Sequence, residues 1–347
     1  MTYRVWPPMI CNALSIHRNV SWPCLPSRAN FADANHRPSI ERTPDVHAPT
    51  LRRRTFLSAL AASVIAPTVA SAFDVPAEPQ LMTGDYAKER RKFRTHLLNK
   101  GPAPDNFEPL VAPPGADQVF YRSGYGGELE LVAWVSRYQR TPKPRPAVLF
   151  LHGGNALGQG HWMLVKPYIE AGYVVMIPSM RGENGQKGNF SGFYDEVDDV
   201  LSAADRLRHL PGVDPHRLFL AGHSVGGTLA MLAAMSGRRF RAATPISGNP
   251  DAFAFFDRYP QDIRFDDRNP REFQMRSAIC YAHSFKCPMK VMQGTEEVHF
   301  SPRIGLLAKR ATAGGVKMEV ATLPGGHTTA LPAEIQQSIQ FFKGVAA

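Results

Sequence analysis

The stretch Leu218-Phe219-Leu220-Ala221-Gly222-His223-Ser224-Val225-Gly226-Gly227 decides how this chain is read. Its four leading apolar residues predict a strand buried on both faces. A lone serine flanked by glycines follows, and residues 225–236 then have the composition of a helix. The pattern is G-x-S-x-G between a strand and a helix, the context in which this motif carries a nucleophile. At so sharp a turn the serine takes a strained backbone conformation, which lifts its hydroxyl clear of the sheet. Positions 222 and 226 are glycine because a side chain there would collide with the adjacent strand or helix. The helix beginning at Val225 aims free N–H groups and its positive end at charge developing on a bound carbonyl. Ser224 is the candidate nucleophile.

A second glycine motif, Leu151-His152-Gly153-Gly154, directly follows the apolar run 147–151. Without side chains its amides can approach a substrate carbonyl closely. The N–H groups of Gly154 and Val225 are therefore the expected oxyanion donors, with His152 in a structural role. A base should follow the last strand. Residues 318–323 end in Pro324-Gly325-Gly326-His327, which makes His327 the candidate among 12 histidines. The acid that orients an imidazole belongs on the loop after the preceding strand. That loop reads Gln293-Gly294-Thr295-Glu296-Glu297. Spacing from Gly294 favours Glu297, with Glu296 and then Asp251 as alternatives. The order serine, acid, histidine is that of strand–turn–helix nucleophile folds.

Working outward, residues 147–151, 173–177, 218–221, 242–246, 289–292 and 318–323 are short apolar runs. Helical stretches at 161–171, 194–210, 225–236, 303–313 and 332–343 lie between or after them. Strands alternating with helices predict an α/β fold, a mostly parallel sheet covered on both faces. Period-two segments at 119–121 and 129–138 around Gly124-Tyr125-Gly126-Gly127 predict an antiparallel hairpin at its edge. One helix is expected around 86–98, within an otherwise Pro-rich arm spanning 73–116. Residues 250–285 are long enough for a small helical cap. The Phe253-Ala254-Phe255-Phe256 run in that segment either lines an acyl pocket or packs the cap.

Composition excludes several classes. With 44% hydrophobic and 20% charged residues the 347-residue chain reads as a packed globular protein. Of its net charge of +10, residues 1–72 hold eight Lys/Arg against three Asp/Glu, leaving +5 on the rest. There the longest basic run is Arg90-Arg91-Lys92, too little for a nucleic-acid footprint. No apolar window long enough to span a membrane is free of charges and helix breakers. The four cysteines show no metal-ligand spacing, so neither metal nor organic cofactor is expected.

The N-terminal region reads as a targeting segment. Arg52-Arg53-Arg54 precedes an apolar stretch that ends in Ala70-Ser71-Ala72. The Arg53-Arg54-Thr55-Phe56-Leu57 core resembles a bacterial twin-arginine export signal over residues 51–72. Residues 1–50 lack any apolar period and read as a non-native or disordered extension. Translation is expected to start near Val46 or Leu51, and the mature chain near Phe73. Its partner would be the twin-arginine export machinery, and its location periplasmic or secreted. An oxidising location would permit a Cys280–Cys287 disulfide; two buried free thiols fit the sequence as well.

Taken together, His152-Gly153-Gly154, the Ser224 turn, Gly294-Thr295-Glu296-Glu297 and Gly325-Gly326-His327 resemble the α/β-hydrolase superfamily. Dienelactone-hydrolase-like proteins and the catalytic domain of prolyl-oligopeptidase-type serine peptidases are the branches most similar. Arg181-Gly182-Glu183-Asn184-Gly185 and Asp198 with Val213-Asp214-Pro215-His216-Arg217 add to the second likeness. The resemblance covers residues 119–343 and implies the α/β-hydrolase fold over 117–347, with acyl transfer through a covalent serine intermediate. Two features depart from the pattern: the acid is glutamate where family members usually carry aspartate, and fewer than fifty mature residues precede the first strand, too few for the peptidases' β-propeller. Lacking that size filter, the expected substrate is a carboxylic ester of modest size. A short peptide is the alternative, its free amine gripped by Glu183 or Asp195.

Overall fold

In a computed structural model, described for residues 73–104, 109–138, 142–299 and 301–346, the apolar runs become one sheet. Its strands are β1 (Ala116–Ser123), β2 (Leu129–Ser136), β3 (Arg145–Leu151), β4 (Val174–Pro178), β5 (Val213–His223), β6 (Ala243–Ile246), β7 (Met289–Gly294) and β8 (Met318–Leu323). The spatial order is β1-β2-β4-β3-β5-β6-β7-β8. β1 and β2 form the expected antiparallel hairpin, and β2 joins β4 antiparallel. All pairings from β4 through β3 to β8 are parallel. This is the α/β-hydrolase fold.

Alternation along β3 and β5 divides the core in two. Leu149, Leu151, Leu218 and Leu220 face one side, where α4 (Glu196–Arg208) and α5 (Val225–Ser236) pack. Val148, Phe150, Phe219 and Ala221 face the other, against α9 (Leu331–Ala346) and the Tyr168 region. Both faces are dry, which is why these strands read as continuous apolar runs.

Two expected helices are shorter than their patterns. The segment 161–171 forms α2 (Gln159–Leu164) and α3 (Lys166–Glu170), because Pro167 near the start of α3 cannot extend a preceding helix. The arm helix α1 (Tyr86–Lys92) stops where Phe93 turns extended. Beyond it, Thr95 Oγ1 and the His96 N–H donate to the Glu272 carboxylate at 2.8 and 2.7 Å. A tertiary partner there replaces the next helical turn.

The cap expected over 250–285 contains α6 (Ala252–Arg258), a 3₁₀ turn at Pro260–Asp262, α7 (Pro270–Arg276) and a second 3₁₀ segment, Ala278–Ser284. Helix α8 (Ser301–Ala313) then connects β7 to β8. A fully buried ion pair anchors the cap. Arg276 Nη1 reaches Glu272 Oε2 at 2.5 Å, and its other nitrogens donate to the Ser191 and Gly192 carbonyls. Removing one partner of such a pair strands a buried charge, at a cost of about 3–5 kcal/mol.

The Cys280–Cys287 bridge is not formed; both are free thiols. Cys280 is buried beside Ser277, whereas the Cys287 thiol points at Met289 Sδ, 3.9 Å away. Burial pushes both thiols up to about 12, leaving them without thiolate character. The expectations for residues 1–50 and 51–72 lie outside the described residues. Among the described residues no helix is long and apolar enough to cross a membrane, and no His/Cys/Asp/Glu cluster of metal-binding size occurs.

Candidate active site

Parallel register brings the motifs together. Leu151 pairs with Gly222, His223 with Ile246, and Gly294 with Leu323. The loops after β3, β5, β6, β7 and β8 therefore leave the sheet along one edge. Ser224 lies at the turn between β5 and α5, with φ 56° and ψ −120°. A non-glycine residue held there costs about 1–3 kcal/mol. Surrounding bonds sustain it: its N–H donates to the Ile246 carbonyl at 2.9 Å, and its carbonyl accepts from Thr228 N–H at 3.1 Å. The glycine requirement is steric. A Cβ at Gly222 would lie 2.2 Å from the Gly226 carbonyl oxygen, and one at Gly226 would lie 2.2 Å from that of Leu151.

His327 Nδ1 donates to Glu297 Oε1 at 2.6 Å. The other carboxylate oxygen accepts from Ser247 Oγ at 2.6 Å and from the Gly294 N–H at 2.7 Å. Burial alone would raise the Glu297 pKa, but these donors, His327 foremost, outweigh it and hold the carboxyl near about 2. Two bonds thus fix one oxygen of the anion, and the other is left facing the imidazole. Glutamate replaces the usual aspartate without loss of reach, since Glu297 follows the β7 turn by three residues and its carboxylate folds back on Gly294.

The alternative acids are placed elsewhere. Asp251 is buried at the start of α6, accepting from the Phe253 N–H and paired with Arg303 at 3.1 Å. Glu296 borders the cavity beside Gly326 but makes no bond to His327. Glu183 is committed to His152, at 3.1 Å, and to the Met180 N–H; Asp195 lies near Arg181. Neither lines the cavity, so the expected amine grip from these two is not available. His152 is buried in that pairing, as its structural role required.

Ser224 and His327 line the same cavity of about 720 Å³, together with Val225, Phe255 and Glu297. Among the described residues the Ser224 hydroxyl makes no hydrogen bond to the imidazole; such contacts commonly tighten only with substrate bound. A neighbouring hollow of about 380 Å³ shares Ser224, Val225 and Phe255 and adds Gly154. Gly154 has φ 69° and Val225 is the first residue of α5, so its N–H has no partner within the helix. The candidate nucleophile, the candidate base and both expected oxyanion donors thus border two adjoining spaces.

Some residues escaped the sequence reading. Ser247 follows β6 in the left-handed region (φ 50°) and donates to Glu297; its only sequence signal is the Ser-Gly pair ending an apolar run. His223 Nε2 bonds the His327 carbonyl at 2.8 Å, and burial lowers its pKa to about 4, so it donates as a neutral ring that holds the base loop. Of the phenylalanine run, Phe255 lines the cavity while Phe253 and Phe256 pack against Phe273.

Against known families, the prolyl oligopeptidase family model (Peptidase S9) matches residues 162–345. The chain belongs to the prolyl oligopeptidase family. The chain is 25% identical over 164 residues to the uncharacterized peptidase YtmA of Bacillus subtilis, covering 44% of this chain and 63% of YtmA. It is 27% identical over 173 residues to the uncharacterized peptidase YuxL of the same organism, but spans only 26% of that protein. A Mycobacterium tuberculosis puromycin-hydrolyzing peptidase matches in structure with a TM-score of 0.57 and 20% identity, covering 67% of this chain and 41% of that one. A protein described as a dienelactone hydrolase from Klebsiella pneumoniae matches at 0.50 and 15%, covering 66% and 98%. The solved structures are similar in fold, and the chain spans less than two thirds of the length of the curated relatives it matches.

Proposed function

We propose that the chain is a serine hydrolase that cleaves short peptides or peptide-like amides, ahead of carboxylic esters, through Ser224, His327 and Glu297. The observation that carries this reading is the 2.6 Å bond from His327 to a triply held Glu297, at the rim of the cavity that also contains Ser224. In this mechanism the Ser224 oxygen attacks a carbonyl carbon while His327 Nε2 accepts its proton. Glu297 keeps the Nδ1–H tautomer and stabilises the imidazolium. The amides of Gly154 and Val225 receive the oxyanion, where each donor is worth roughly 10²–10³ in rate. His327 then protonates the leaving group, and water repeats the sequence on the acyl-enzyme. Peptides take precedence over the esters expected from the sequence because the sequence-level relatives YtmA and YuxL are described as peptidases.

The test is fluorophosphonate labelling of the protein and of Ser224→Ala, followed by aminoacyl arylamides beside acyl esters. Expected are labelling and arylamide hydrolysis that both vanish in Ser224→Ala. Absence of labelling on folded protein would overturn the serine mechanism, and ester turnover without arylamide cleavage would return the assignment to an esterase. We propose as well that residues 51–72 direct twin-arginine export; a cell-derived protein still beginning at Met1 would refute that.

A further inference from the structure

The charges bordering the cavity are unevenly neutralised. Glu297 is bonded to His327. Arg303 is paired with buried Asp251 at 3.1 Å and donates to the Pro76 and Ala77 carbonyls, so its charge is spent on the cap and arm. Arg258 differs. It is the last residue of α6, borders the cavity, and makes no ion pair with a carboxylate among the described residues. Its Nη1 donates to His299 Nε2 at 3.1 Å, and its guanidinium carbon lies 5.7 Å from the centre of the Tyr259 ring. Both contacts leave donors of the planar fork unused while limiting its rotamers. Tyr259 and His299 border the same cavity, so the guanidinium is steadied by groups that themselves face substrate.

The other cavity carboxylate outside the Glu297–His327 pair is Glu296, on the loop beside Gly326. Within this cavity the His327 side therefore carries the negative charge and the cap side the positive, the cap carboxylate of Asp262 bordering only the adjoining hollow. A neutral substrate gains nothing from this division. A carboxylate is repelled by one loop and received by the other, and a guanidinium accepts it through two parallel N–H bonds.

Building on the proposed hydrolase reading, we propose that Arg258 is a specificity residue and that the preferred substrates carry a carboxylate close to the scissile bond. The group is either a side chain on the acyl component or the free terminus of the leaving component. Phe255, on the same helix as Arg258, supplies the apolar wall.

Two matched pairs of probes separate these sources. Glutamyl and glutaminyl p-nitroanilides differ by one charge on the acyl side; a dipeptide and its C-terminal amide differ by one on the leaving side. Charge-assisted hydrogen bonds of this kind are worth about a ten- to hundredfold ratio in kcat/KM. One pair should show that ratio, expressed mainly in KM. Arg258→Met should bring it to near unity, Arg258→Lys should restore part of it, and Arg258→Glu should invert it toward a lysyl substrate. Each ratio is taken within one variant, and thermal unfolding followed by circular dichroism verifies that the variants fold. Ratios within threefold of unity for both pairs, on protein that labels with fluorophosphonate, overturn the role of Arg258 and leave the hydrolase standing. A preference that survives in Arg258→Met overturns it equally. Failure of the parent protein to label would instead remove the hydrolase reading, and this proposal with it.

Discussion

Replacing Glu297 by glutamine exchanges one oxygen for an NH₂ group, and the hydrogen bonds around it dictate the outcome. Three donors face the carboxylate: His327 Nδ1–H, the Ser247 hydroxyl and the Gly294 N–H. The Gly294 amide cannot rotate, so glutamine must turn its carbonyl oxygen toward it and its NH₂ toward His327. Nδ1 then has to accept, which places the proton on Nε2 and leaves no lone pair for the Ser224 proton. The equivalent change in serine proteases lowers kcat about 10⁴-fold, a barrier increase of about 5 kcal/mol. Stability should change with a signature of its own. The Glu297 carboxyl sits near about 2 in the fold against 4.5 when free. A depressed acid stabilises the native state above the free value and loses that contribution as pH falls through the folded one. At 1.36 kcal/mol per unit the effect reaches about 3 kcal/mol at neutral pH. Glu297→Gln should therefore unfold at lower urea near pH 7 and converge with the parent protein near pH 2. The assay is steady-state and burst kinetics on the best chromogenic substrate, with urea unfolding at both pH values. A kcat within tenfold of the parent, or a larger loss from Glu296→Gln, would refute the reasoning.

Three further outcomes are expected. Gly226→Ala brings a Cβ to 2.2 Å from the Leu151 carbonyl, so urea unfolding should show a loss of at least about 1–3 kcal/mol together with loss of activity; a neutral result would show that the turn is not tight. Glu334 is fully buried on the first turn of α9, and burial, with some help from Glu297, raises its pKa to about 7. A raised acid costs stability as pH climbs from its free value, 4.5, to its folded one, so Glu334→Gln should gain up to about 3 kcal/mol over the parent at pH 8 compared with pH 4.5; equal urea midpoint differences at the two pH values would refute this. Finally, Cys280 and Cys287 should resist a thiol reagent at pH 8 until the protein is denatured. Peptide mapping that finds them joined would contradict the free thiols.

Much of this architecture was legible because the central strands are largely buried on both faces and the turn around Ser224 demands glycine. Apolar runs of four to six residues therefore marked β3, β4, β6, β7 and β8 to within two residues at either end, but only the core of β5, which runs from Val213 to His223, while Gly222 and Gly226 marked where backbones approach. The meeting of Ser224 and His327 at one cavity was legible for the same reason, since chain order in this fold places each loop at a strand end. Local pattern misled where a distant partner intervened. Helix α1 ends early because Glu272, 177 residues from Thr95, offers its carboxylate to the following backbone.

Three matters belonged to the tertiary structure alone. Glu296 and Glu297 are adjacent and chemically identical, and only the turn returning Glu297 to Gly294 decides which one meets His327. Asp251 was removed from contention by Arg303, a residue on α8 that no local pattern links to it. Ser247 and Arg258 acquire roles only through what they face, one the Glu297 carboxylate and the other the cavity. Periodicity and glycine placement report the backbone, which is local, and so the sequence by itself determined the sheet, its turns and the position of the candidate nucleophile. The direction of a charged side chain depends on the counter-charges that folding brings near, and those came from the packing of loops distant in the chain.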